Sequence, residues 1–282
     1  MAQSALPWLR RSQQSTLPAV RLREAWWLLS LPLLLFLALP VVALFLRTPP
    51  NQLLANLAEG QVIQAISLSM LTTCITLVIT LIFGTPVAYL LGRYDFPFRR
   101  AIDTLLDLPT VLPPSVAGIA LLMAFGRRGL VGEWLEVGGI HIAFTQVAVI
   151  LAQTFIAAPF YVKAAMLGFA GVDRDLEQAA LDGAGSWQAF RFVTLPLAWT
   201  ALLSGAVMTW ARALGEFGAT IIFAGNYPGQ TQTMPLAIYL GFELDLDIAL
   251  TLSAILVGCS FVVLIIVKGL LQRELETNTI SR

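Results

Sequence analysis

Few residues in this chain can do chemistry, and their spacing limits what they can do. Arg212 and Glu216 stand four apart inside an apolar run, so on a helix they face each other closely enough to pair. One histidine, His141, and two cysteines, Cys74 and Cys259, are too few for a four-ligand Cys/His zinc site, and no metal site is expected. Both cysteines lie in apolar stretches and read as buried free thiols. The two lysines, Lys163 and Lys268, each follow a valine, so no G-x-x-x-x-G-K-[ST] phosphate loop exists and no nucleotide is held by that route. An intramembrane enzyme, such as a protease or acyltransferase, would have to draw on Asp107, His141 and Glu216. The distribution of positive charge puts Asp107 and His141 at opposite membrane faces, so no catalytic residue is assigned.

The elements that must position these residues are membrane helices. Of 282 residues, 57% are hydrophobic and 12% charged, with a mean hydropathy of +0.79, against about 25% charged in soluble domains. A soluble domain is excluded. Seventeen Lys and Arg balance seventeen Asp and Glu, so nothing in the bulk charge indicates a nucleic-acid partner. Charge at the bilayer centre is costly, and runs free of it mark six candidate spans. They are 25–46, within 60–92, 108–126, within 137–162, about 197–224, and 248–267. The first follows Arg10, Arg11, Arg21 and Arg23 like a secretory signal, but its apolar run is too long for one, so it reads as a retained anchor with Trp26 and Trp27 at the interface. The fifth contains Arg212 and Glu216. The turn-rich stretch Gly225 to Pro235 follows Phe217 too soon for a second crossing, which favours one helix with an internal charged pair.

Thirteen Lys and Arg fall in the N-terminal tail, the second-to-third loop, the fourth-to-fifth segment and the C-terminal tail, against three on the other side (Arg47, Arg127 and Arg128). That asymmetry places both termini in the cytoplasm. The expected organisation is a cytoplasmic tail over 1–24, a transmembrane domain over 25–267 and a cytoplasmic tail over 268–282. The long cytoplasmic segment Lys163 to Thr194 reads as helix, break, helix, with the hairpin at 173–194. Asp173 can cap the first helix, Gly183 and Gly185 break it, and Ser186 can cap a second helix that stops at Leu195-Pro196. Ala179, Ala180, Gly183 and Ala184 give the hairpin a small-residue surface, beside the large apolar Trp187, Phe190 and Phe192. It can either receive another protein or fold back on its own bundle.

The string EQAALDGAGSWQAFRFVTLP, Glu177 to Pro196, resembles the EAA motif of type I ABC importer permeases, with Glu177, Ala179, Ala180, Gly183, Val193, Leu195 and Pro196 on its places. The stretches Ala211 to Tyr239 and Leu108 to Gly132 resemble the oxyanion branch of that family, molybdate more than sulfate or thiosulfate. The resemblance implies an all-α permease with six transmembrane helices and a homodimer in the bacterial inner membrane. It also implies two ATPase subunits docked on the hairpins through Glu177, Ala179, Ala180, Asp182, Gly183, Ala184, Leu195 and Pro196. ATP and Mg would be bound by the ATPase, with no cofactor on this chain, and a periplasmic or lipid-anchored binding protein would deliver the oxyanion. Sulfate, thiosulfate and tungstate remain alternative cargoes, and an ion-driven secondary transporter is disfavoured by the scarcity of intramembrane charge.

Candidate path or gate residues follow from the helices themselves. Pro109, Pro113 and Pro114 before Ser115 must interrupt helical hydrogen bonding, either beside a transport path or in quiet packing. Ser204, Met208, Ala211, Gly215 and Gly218 form a mostly small helical face, open to packing within the chain or against a second copy. The adjoining face carries Thr209, Arg212 and Glu216, either a structural pair or part of an anion path.

Overall fold

A computed structural model describes residues 17–181, 183 and 185–280, and all regular structure among them is helical. By its contacts the chain divides into two compact units, Met1–Arg47 and Thr48–Arg282. In the first, α1 (Leu17–Arg47) includes the apolar stretch Trp26–Arg47, 22 residues or about 33 Å, enough to cross a hydrocarbon core. Its large apolar side chains from Trp26 to Leu46 are exposed, except for the half-buried Leu44.

The second unit runs α2 (Pro50–Asn56), α3 (Gly60–Arg93), α4 (Arg99–Val111), α5 (Pro114–Phe125), α6 (Gly132–Val137), α7 (Gln146–Ala170), α8 (Arg174–Leu181) and α9 (Ser186–Ala189). A π-helical turn (Phe190–Thr194), α10 (Leu195–Leu214), α11 (Gly218–Phe223), α12 (Met234–Leu244) and α13 (Leu246–Ile280) complete it. Among the described residues, five stretches have the length and composition to span: Trp26–Arg47, Gly60–Arg93, Gln146–Ala170, Ser186–Leu214 and Leu246–Ile265. A sixth crossing requires the bent pair α4 and α5.

Helix α7 is central and packs most extensively against α3 and α10. Between lipid-facing helices the apolar effect supplies no drive, so backbones must approach closely for packing to hold them. At Gly205 a Cβ would lie 2.8 Å from the Ala164 methyl and 3.2 Å from the Tyr161 carbonyl, so the α7–α10 contact needs glycine there. On α3 the inward face carries Ser69, Thr72, Thr73, Thr76 and Thr80, all buried, while Leu71, Val78, Ile82 and Phe83 face outward. The hydroxyls of Thr72 and Thr73 donate to the Ser69 carbonyl, Thr76 donates to the Gln153 side chain of α7 at 3.1 Å, and Ser69 Oγ accepts the Met234 amide at 2.7 Å, while the Thr80 hydroxyl is buried without a partner among the described residues. This inverted pattern belongs to a helix solvated by lipid.

Four expectations require correction. The third span is broken as its prolines imply, but it is not confined to 108–126: α4 already begins at Arg99, and α4 and α5 meet at a 117° bend. Leu112, held extended before Pro113, and two successive prolines without N–H groups break it there. The fourth span, expected within 137–162, starts inside that window at Gln146 but runs past it to Ala170. Lys163 therefore lies within α7, where Asp103 (2.5 Å) and Asp107 (3.0 Å) neutralise it. The fifth span is interrupted at Gly215, so Arg212 ends α10 while Glu216 lies in the break before α11. Finally, Cys74 and Cys259 are free thiols, as expected, but neither is buried: Cys74 lies on the exposed face of α3 and Cys259 is half-buried in α13. The 11-residue α12 has no counterpart in the sequence reading, and α13 continues through the expected tail to Ile280.

Candidate functional site

The segment after α7 folds as a hairpin of two short limbs. Asp173 Oδ1 accepts the Asp175 amide at 2.9 Å, the capping expected of it, and Asp175 and Glu177 complement the α8 dipole. The second limb is capped differently from expectation. Gly185, not Ser186, occupies the N-cap, where its N–H donates to Gln188 Oε1 (3.1 Å) and its carbonyl accepts from Gln188 and Ala189. No stop occurs at Leu195-Pro196. The chain passes through the wide π turn directly into α10 with Thr194 itself helical, so Pro196 stands inside a continuous helix and its missing N–H leaves a gap in the hydrogen-bond ladder there. The widened turn makes room for the prolyl ring.

Asp182 and Ala184 lie outside the described residues. Ala179 and Gly183 are exposed, Ala180 is half-buried, and a Cβ added to Gly183 would meet nothing within 4 Å. Trp187 and Phe192 are exposed too, whereas Phe190 turns inward against Tyr89 (5.0 Å) and Phe169 (6.1 Å). One aromatic thus anchors the hairpin to the bundle, while Ala179 and Gly183 face out. Leu195 packs against the core formed by α3, α7 and α10, and Pro196 is exposed.

Glu177 points the other way. Its side chain is 16% exposed, and its carboxylate is ion-paired with Arg93 at the end of α3 and accepts from Tyr89 Oη (3.0 Å) and Thr194 Oγ1 (3.1 Å). Arg93 and Tyr89 escaped the sequence reading because they lie 84 and 88 residues away, and no local signal links them to the hairpin.

At membrane depth two interruptions meet. Gly218, opening α11, lies against Pro114, opening α5. One turn on, a Cβ at Gly118 would lie 2.9 Å from the Ala219 carbonyl, so glycine is what lets α5 and α11 touch. Glu216, 1% exposed, closes this junction: Oε1 accepts the Ala219 amide (2.9 Å) and Oε2 lies 2.7 Å from Arg212 Nη1. The pair therefore staples the end of α10 to the start of α11. Arg212 keeps 30% of its side chain exposed, next to exposed Gly215. Ser115 is exposed beside the α5 break, while Thr209 is fully buried, its hydroxyl bonded to the Ala157 carbonyl of α7 (3.1 Å). Of the five candidate path residues, Ser115, Arg212 and Gly215 present surface, and Thr209 and Glu216 hold the bundle together.

The three groups that an enzyme would need are not assembled. Asp107 meets α7 at Lys163, whereas His141 precedes the start of α7 at Gln146, about 26 Å of helix away. His141 instead lines a cavity of about 340 Å³ with Arg127 and Glu136, and Glu216 is committed to Arg212. No cluster of metal-ligating side chains occurs among the described residues.

Long apolar helices, broken at proline and glycine and carrying an outward-facing hairpin, define a polytopic membrane transport component. Residues 84–279 match the family of binding-protein-dependent transport system inner membrane components, and the chain belongs to that family. The chain is 42% identical over 226 residues to the molybdenum transport system permease protein ModB of Mycobacterium tuberculosis, covering 79% of this chain and 85% of ModB. It is 35% identical over 260 residues to the sulfate transport system permease protein CysW of Escherichia coli, covering 89% of each. A bacterial alginate ABC transporter, solved with its alginate pentasaccharide-bound periplasmic protein, superposes with a TM-score of 0.68 at 20% identity, over 90% of this chain and 96% of that one. The fold is that of an ABC importer permease.

Proposed function

We propose that this chain is the membrane permease of an ATP-driven importer of molybdate, and of the closely similar tungstate anion, in the bacterial inner membrane. The observation that carries the cargo is the 42% identity to a molybdenum permease over 79% of the chain. Two copies would pair around a central path, with both termini and the hairpin in the cytoplasm. Two ATPase subunits, which bind the ATP and Mg, would dock on the exposed surface of Ala179 and Gly183, with Asp182 and Ala184, their neighbours in the sequence, as further contacts. A periplasmic or lipid-anchored binding protein would deliver the anion, and membrane lipid would cover the exposed apolar faces. This chain's own part is mechanical: it transmits movement of the hairpin to the helices around the α5–α11 junction.

A dianion held permanently inside the permease would need several donors. The described residues offer Arg212, whose charge Glu216 offsets at 2.7 Å. Selectivity therefore rests with the binding protein. Sulfate is the second reading, favoured by the 35% identity to CysW over 89% of the chain. Competition uptake with the matched binding protein decides between them. Molybdate should outcompete sulfate at equal concentration, and the reverse order moves the assignment to sulfate.

A further inference from the structure

We propose that Arg93 is a positioning residue that ties the hairpin to α3 and α7, so that a pull on the hairpin moves both helices. The inference rests on the permease reading above and assigns Glu177 an inward role instead of a docking contact.

None of the α8 side chains from Arg174 to Ala180 is buried, so apolar packing does not set the orientation of that helix. Glu177 does. Its two oxygens are taken by three donors from two other elements: Arg93 and Tyr89 of α3, and Thr194 of the π turn. Little of that carboxylate remains for a partner protein.

Arg93 carries the tie onward. Its side chain, 5% exposed, reaches the Val172 carbonyl (2.7 Å) and the Phe169 carbonyl (3.4 Å), at the C-terminal end of α7. A helix end leaves its last carbonyls without intrahelical donors, and a cation there is favoured by the helix dipole. The planar guanidinium can serve those carbonyls and a carboxylate at once, which a lysine ammonium on its flexible stem does poorly. Tyr89 is itself braced, edge-on to Phe169 (5.4 Å) and Phe190 (5.0 Å). A cavity of about 220 Å³ lies between Arg93, Tyr94, Arg174 and Ser186, so the hairpin is not jammed against the bundle beside the tie. Displacing α8 therefore loads Arg93 and Tyr89 before it meets a wall of side chains.

The test compares Arg93→Gln and Arg93→Lys with the wild type in liposomes holding permease, ATPase and binding protein, scoring anion taken up per ATP hydrolysed. Arg93→Gln should still copurify with the ATPase, since Ala179 and Gly183 are untouched, but uptake per ATP should fall about tenfold, with Arg93→Lys in between. A spin label at exposed Gln178 supplies a readout on the permease alone, in a background lacking Cys74 and Cys259. Its spectrum should become more mobile in Arg93→Gln and in Glu177→Gln. An unchanged uptake ratio in Arg93→Gln overturns the assignment. So does an unchanged spectrum, which also decides the matter if the variant cannot be assembled with the ATPase. Failure of the wild type to copurify or transport would instead overturn the permease reading.

Discussion

Arg212→Ala removes the guanidinium that lies 2.7 Å from a carboxylate only 1% exposed. Breaking a buried pair from the cationic side leaves a charge with neither counter-charge nor water, at a cost of about 3–5 kcal/mol. The opposite deletion is milder. In Glu216→Gln the amide oxygen still accepts the Ala219 amide that caps α11, and Arg212 can move its head toward polar surroundings along its exposed part, so we expect a loss of about 1–2 kcal/mol. The two changes share one partner and are not additive. The double variant R212A/E216Q holds no buried charge and should regain about 2 kcal/mol over R212A alone. Thermal unfolding of the purified permease in detergent should rank wild type first, then E216Q, the double variant and R212A. A double variant less stable than R212A, or an R212A as stable as E216Q, would refute the staple and return Arg212 to the transport path.

Three further outcomes follow from the same geometry. Gly205→Leu must force α7 and α10 apart at a 2.8 Å contact, and should cost about 1–3 kcal/mol or more in the same unfolding assay, where an unchanged midpoint would contradict the packing. Gly183→Trp meets nothing within 4 Å, so stability should change by no more than about 0.5 kcal/mol while ATPase copurification is lost; retained copurification would remove the hairpin as docking element. In a background lacking Cys74 and Cys259, Gln230→Cys should react with an impermeant reagent outside cells and Ser186→Cys only after lysis. The opposite pattern reverses the orientation.

Local covalent and hydropathic features were legible in the sequence. Charge-free runs located the long helices because lipid excludes charge residue by residue, and Pro113-Pro114 announced its break because a proline lacks its N–H wherever it sits. What failed was tertiary. The break at Gly215 is held open by the Glu216 side chain turning back to Ala219 and by Gly218 resting on Pro114, a residue 104 positions earlier. Lys163 looked like a helix boundary because a charge usually is one, but Asp103 and Asp107, on a different helix, allow α7 to pass through it. The hairpin was recognisable from its motif. The inward aim of Glu177 was not, since its partners Tyr89 and Arg93 belong to a helix that ends before α4 begins. Sequence spacing identifies surfaces; the third dimension identifies which polar groups are already taken.

The central claim is that this chain moves its anion only when a partner ATPase drives it. Purified permease should be reconstituted in liposomes with the ATPase and the loaded binding protein, and molybdate uptake followed with ATP, without ATP, and with the ATPase omitted. Uptake that requires both ATP and the ATPase is the predicted result; uptake that proceeds at the same rate without either would contradict it.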